Sequence, residues 1–136
     1  MKKNSIIYWA TTGIIALMMA FSAYSYLAKP EIAAAFKHLG FPDYFRIELA
    51  AAKIIGVLVL LIPQIPVRIK EWAYAGFGIT FISATIAHLS SGDPASVASM
   101  PVIFLLGLLV SNIYLYKKNT PSVVTIKNNI KASLAS

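Results

Sequence analysis

The sequence predicts an all-α protein, a transmembrane four-helix bundle with a short interfacial helix between its first and second spans. Three observations predict it. Apolar residues fill 58% of the 136 positions and charged residues only 12%, where a soluble domain carries about a quarter charged. The apolar residues fall into four runs, about 5–27, 45–62, 71–91 and 97–116, each near the ~20 residues that cross a bilayer as a helix. Finally, the 12 Lys and Arg sit mostly at the ends of these runs, so the net charge of +7 reflects membrane topology and not a nucleic-acid surface.

Four spans use most of residues 1–118, which are expected to form one membrane domain without a soluble catalytic module. No internal repeat is evident. The absence of Cys excludes a thiol relay, a disulfide framework and Cys-ligated zinc or iron–sulfur chemistry within the chain.

Lys2 and Lys3 precede the first run, from Ile6 to about Leu27. It is longer than the apolar core of a signal peptide and reads as a retained span, although Ala20-x-Ser22 is a tolerable cleavage pattern. Residues 30–39 then predict a short helix, with Pro30 at a first helical position, Glu31 at the positive end of the dipole and Gly40 at the stop. Ile32, Phe36 and Leu39 give it one apolar face, suited to the membrane interface or to capping the bundle. The second run carries Arg46, Glu48 and Lys53 in its first half and ends at Pro63 and Pro66, a tight link to an antiparallel neighbour.

The third run starts near Glu71 and ends near Ser91, where Asp93 is expected to cap the next helical turn with Pro94 at its first position. Pro101 bends the fourth run or marks its start. Residues 119–136 form a polar, basic, Asn-rich tail for which little stable structure is expected. Eight Lys or Arg (Lys2, Lys3, Arg68, Lys70, Lys117, Lys118, Lys127 and Lys131) fall on the side of the termini, against Lys29 and Lys37 on the other. Both termini are therefore expected to be cytoplasmic.

Polar residues within the runs are the functional candidates. On the third run Gly76, Thr80, Ser83 and Ala87 make a stripe of small residues expected to face another helix. Lys53 lies ~12 Å inside the second span, where a charge costs roughly 2.5 to 3.5 kcal/mol unless it snorkels, pairs or meets a wet cavity. Because the third span runs the other way, His88 and Asp93 reach the same outer level. The expected site is thus a partly buried cluster of Glu48, Lys53, His88 and Asp93 around a cavity open to the outer face. Glu48 is about 140° round the helix from Lys53 and would have to pair across the bundle. Two readings of the cluster stay open: hydrogen bonds that lock the bundle with Asp93 as a cap, or a ligand site. Glu71 reads as structural, and Asn112 as an interhelical hydrogen-bond former.

Several of these segments also carry a resemblance. LGFPDYF, the Lys53-Ile54-Ile55-Gly56 of the second span, IKEWAYAGFGITFISATIAH and the following SSGD together resemble the DoxX-like family of small four-span bacterial membrane proteins, over about residues 5 to 116. Gly40-Phe41-Pro42, Lys53, Glu71 to Gly76, His88 and Gly92-Asp93 are its most specific positions. The resemblance implies a multi-pass protein of the inner membrane associated with quinone-linked redox complexes, since the family takes its name from a subunit of a thiosulfate:quinone oxidoreductase.

The residues themselves show no nucleophile, metal cage or phosphate loop, so no catalytic or metal-ligating residue is assigned and catalysis by this chain alone has the least support. His88 is the single histidine within a span, and with His38 in a connection the chain does not supply a bis-histidine haem site. No resident cofactor is evident; a quinone or a lipid is the class the cluster suits. The expected partners are the bilayer, subunits of membrane redox complexes and a second copy of the chain, with no nucleic acid. Three functions compete: an accessory, non-catalytic subunit of a quinone-linked complex; a binding or transport module for a small lipophilic solute or proton; and an envelope scaffold or assembly protein.

Overall fold

A computed structural model describes residues 2–136, which form seven helices and, among the described residues, no strand. Four are long: α1 (Lys2–Ala28), α3 (Asp43–Leu61), α4 (Val67–Ser90) and α6 (Met100–Asn119). Two short helices, α2 (Pro30–His38) and α5 (Ala95–Ala98), lie in the connections, and α7 (Val123–Ala135) follows the last long helix. α1, α4 and the segment Ala95–Ala135, whose apolar residues concentrate in α6, are long and apolar enough to cross a membrane. α3 has 19 residues, about 28 Å of helix, but carries Asp43, Arg46, Glu48 and Lys53.

The four long helices close into a ring. α1 packs against α3 and α6, and α4 packs against the same two; across one diagonal, Lys70 of α4 donates to the Tyr8 hydroxyl of α1 at 3.4 Å. The interior holds Ile15, Met19, Val57, Leu60, Phe77, Phe81 and Leu108. The outer faces are equally apolar, with Leu17, Ile55, Ile79 and Ile103 all exposed, a surface that suits hydrocarbon rather than water.

The punctuation of the chain follows its Pro and Gly residues. Pro30 starts α2 after the single linking residue Lys29, and Pro66 is the N-cap of α4. Pro101 marks the start of α6 rather than a bend within it. Gly40 and Gly92 take positive φ of 84° and 76° and end α2 and α4 in the same way. The Gly40 N–H bonds to Lys37 and that of Phe41 to Phe36; the Gly92 N–H bonds to Leu89 and that of Asp93 to His88. This left-handed closure brings the residue after the glycine back over the last helical turn, usually for an apolar contact. In α2 that contact is Phe41 on Phe36, ring centroids 6.0 Å apart. In α4 the same two positions hold Asp93 and His88.

Three expectations need correction. Asp93 does not cap the next turn: Pro94 is the N-cap of α5, without a side-chain cap bond, because both Asp93 oxygens are taken by histidines. The small-residue stripe of α4 does not face a helix. Gly76 and Ser83 are exposed and a Cβ on Gly76 would meet nothing, whereas the face holding Lys70, Tyr74, Phe77 and Phe81 is buried. Large side chains at that spacing fill the ring interior and bury more surface than the small stripe could. Last, the tail is helical over Val123–Ala135, started by Ser122 Oγ accepting the Thr125 N–H at 3.2 Å; a capping hydroxyl and a run without Gly or Pro outweigh its polar composition.

Candidate functional site

The site grows from α1, where Ser22 and Tyr26, one turn apart, point at the middle of α3. There Lys53, only 4% exposed, donates from Nζ to Ser22 Oγ at 2.8 Å and lies 3.7 Å from the centre of the Tyr26 ring. A ring face is the apolar partner that best tolerates a desolvated cation. No ion pair includes Lys53 among the described residues, so a buried ammonium with three donors has a single hydrogen-bond acceptor.

The other donors face space. Lys53, Ser22, Tyr26, Thr80 and His88 line a cavity of about 240 Å³ that Met19, Phe81 and Phe104 help to enclose. A second cavity of about 240 Å³ lies under α2, bounded by Tyr26, Phe36, Phe45 and His88. A groove of about 390 Å³ between α3 and α4 reaches Lys53 past Gly56 and Thr80, and its walls include Ile55, Ile69 and Trp72, exposed on the helix surface. Thr80 borders all three spaces. Its hydroxyl bonds to the Gly76 carbonyl one turn back at 2.8 Å.

His88 belongs to a triad of side chains at the end of α4. Its Nδ1 is 2.7 Å from Asp93 Oδ2, and His38 Nε2 from the end of α2 is 3.0 Å from Asp93 Oδ1. Hydrogen bonds from His88 and then His38 hold the Asp93 carboxyl below the usual carboxylate range. An ionised carboxylate only accepts, so His88 Nδ1 carries its proton and Nε2 is left as the uncommitted ring nitrogen of a cavity-lining residue. α2 is thereby tied down twice, by His38 to Asp93 and by Phe36 edge-on to Tyr26 at 4.9 Å. It roofs the second cavity.

Of the four residues expected to cluster, Lys53 and His88 share a cavity, Asp93 stands behind His88, and Glu48 is elsewhere. Glu48 is exposed and forms no hydrogen bond or ion pair among the described residues, as its angular separation from Lys53 on a single helix requires. Arg46 bonds instead to Asp43 and to the Tyr26 carbonyl. Sequence reasoning missed Ser22, Tyr26 and His38. The i, i+4 spacing of Ser22 and Tyr26 opposite a buried Lys was the available signal.

A second polar group occupies the far end of the ring. Ser111 bonds to Thr12 and to Tyr74, each at 2.6 Å, and Lys70 donates to the Leu60 carbonyl at 3.1 Å, satisfying the last turn of α3. Asn112 donates to Glu71 at 2.6 Å, the interhelical bond expected of it. Between this group and the Lys53 cavity the helices present the apolar layer Ile15, Met19, Val57, Phe77, Phe81 and Leu108.

The DoxX-like family model matches residues 10–111, from the helix carrying Ser22 and Tyr26 to Ser111 on α6. The chain belongs to the DoxX-like family. It is a membrane protein of that family with long apolar helices, and the match contains every residue of the Lys53–His88 cavity and the His38–Asp93–His88 triad. No curated protein and no solved structure matches the chain. In this DoxX-like protein the arrangement can offer a cationic donor, an imidazole nitrogen and aromatic walls to a molecule that is largely apolar.

Proposed function

We propose that this DoxX-like protein is a non-catalytic, four-span inner-membrane subunit, both termini cytoplasmic, that binds a small lipophilic molecule of the quinone class. The observation that carries the reading is the Lys53 ammonium, buried without a carboxylate and aimed along the walls of two cavities. Leaving a charge so placed is costly in hydrocarbon. An acceptor oxygen of a ligand ring would take a free Lys53 donor, while His88 Nε2 would receive a hydroxyl proton or, when protonated, donate to a second oxygen. Such a ring presents acceptor oxygens on an apolar frame, which matches a pocket with few polar groups and aromatic walls. The groove between α3 and α4, with its exposed Ile55 and Trp72, offers a way in from the lipid.

α3 is the second span in this reading, its charges serving the outer half, and α2 lies at the outer interface as a roof. A quinone-linked partner complex accords with the family resemblance and with the lack of any catalytic constellation in the chain. Transport through the ring is the weaker reading because the apolar layer offers no polar path from the Lys53 cavity to the Thr12–Ser111–Tyr74 group. The test is retention of a short-tailed benzoquinone by the purified protein in nanodiscs. Loss of one charge-assisted hydrogen bond corresponds to about tenfold or more in affinity. Lys53→Met and His88→Ala, each still folded at the assay temperature, should weaken retention by that factor; equal retention in all three proteins would remove the site.

A further inference from the structure

The last helix touches no other element of the molecule. Over α7, Val123, Ile126, Ile130 and Leu134 are all exposed, and at 100° per residue they fall within an arc of about 80°. Lys127 and Lys131 border that arc on one side, with Asn128 and Ala132 opposite. After Asp93 the chain contains no Asp or Glu, while Lys117, Lys118, Lys127 and Lys131 follow in its last 20 residues. Thr120 and Ser122 have extended backbone and flank Pro121, so α6 ends at Asn119 and α7 starts as a separate helix at Val123. Its 13 residues make about 20 Å of helix, too short for a ~30 Å hydrocarbon core.

We propose that α7 is a membrane-surface helix that docks on anionic lipid at the leaflet where α6 ends. The apolar stripe enters the acyl boundary and the four lysines face the phosphate headgroups. Two features select lipid as the occupant: the uniform positive charge of the segment, complementary to an anionic surface, and the short tether that holds the helix against the bilayer α6 crosses. The inference does not depend on the ligand of the Lys53 cavity, though it takes α6 as a span.

Because the chain has no native Cys, single spin labels can report the immersion of each face in the full-length protein. Labels at Ile130→Cys and Asn128→Cys, in nanodiscs holding one chain, should differ: the first reached by oxygen from the lipid, the second by an aqueous nickel chelate. Each lysine near an anionic surface is worth roughly fivefold in partitioning, so Lys127→Gln with Lys131→Gln should cut the immersed population about 25-fold in phosphatidylglycerol discs and little in phosphatidylcholine discs. Equal aqueous exposure of both labels would overturn the proposal. So would immersion that is the same in both lipids, or that appears only with two chains in one disc.

Discussion

Lys53 Nζ lies 3.7 Å from the centre of the Tyr26 ring, so this buried cation is held by an aromatic face and a serine, and by no acid. A contact made for stability alone would be better served by an apolar side chain, since buried charges are often replaced by hydrophobic ones at no cost. Lys53→Met should therefore leave thermal unfolding in detergent within about 1 kcal/mol of wild type or raise it, while quinone retention falls. A loss of several kcal/mol would make Lys53 a structural residue.

Tyr26 should behave differently. Tyr26→Leu removes the ring from a desolvated cation, an interaction worth about 2 kcal/mol, and also its edge contact with Phe36. The variant is expected to unfold earlier, and Lys53→Met in the same chain should recover part of the loss. A double-mutant cycle on the midpoint of denaturation measures the coupling, and strict additivity would argue against the pairing.

The Asp93 carboxyl sets a pH signature. Its folded value lies below the ordinary 3.8, chiefly through hydrogen bonds from His88 and His38. A depressed carboxyl contributes stability that is fully present above the unfolded value and is lost as pH falls through the folded one. Melting temperature should therefore drop from about pH 4 downward in the wild type, and this part of the slope should be missing in Asp93→Asn. Parallel curves for the two proteins would rule out the contribution.

Gly56 on α3 makes room for the Phe77 ring of α4. A Cβ there would sit 2.6 Å from Cζ of Phe77, whose ring is buried in the interior. Gly56→Ala should cost about 1 to 3 kcal/mol by overpacking, and Phe77→Leu should rescue it; Gly76→Ala, with open space around it, should be neutral or stabilising by up to about 1 kcal/mol. Thermal shifts of the three variants give the comparison.

Much of the fold is legible in the sequence because its boundaries are written in Pro and Gly: Pro30, Gly40, Pro66, Gly92 and Pro101 each stand at a helix end. The depth of Lys53 and its shared level with His88 follow from helix rise alone. What the sequence hides is which face of each helix turns inward. Where the outer face is as apolar as the inner, periodicity no longer marks the packed side, and Phe77 and Phe81 take the interior that Gly76 and Ser83 were expected to share. The partners Ser22 and Tyr26 depend on α1 closing the ring against α3, a tertiary fact. Likewise, the His38–Asp93 contact joins residues 55 apart in the chain, and only the fold brings α2 over the end of α4.

The layer of Ile15, Met19, Val57, Phe77, Phe81 and Leu108 also has an electrical consequence. Being wholly apolar, it is where, with the helices spanning as proposed, a transmembrane potential would drop most steeply. A charge moved across the full field gains about 2.3 kcal/mol per 100 mV, but one that enters and leaves the Lys53 cavity from the same side crosses little of it. Proton exchange at that cavity should answer to the pH of one compartment and be nearly indifferent to membrane voltage.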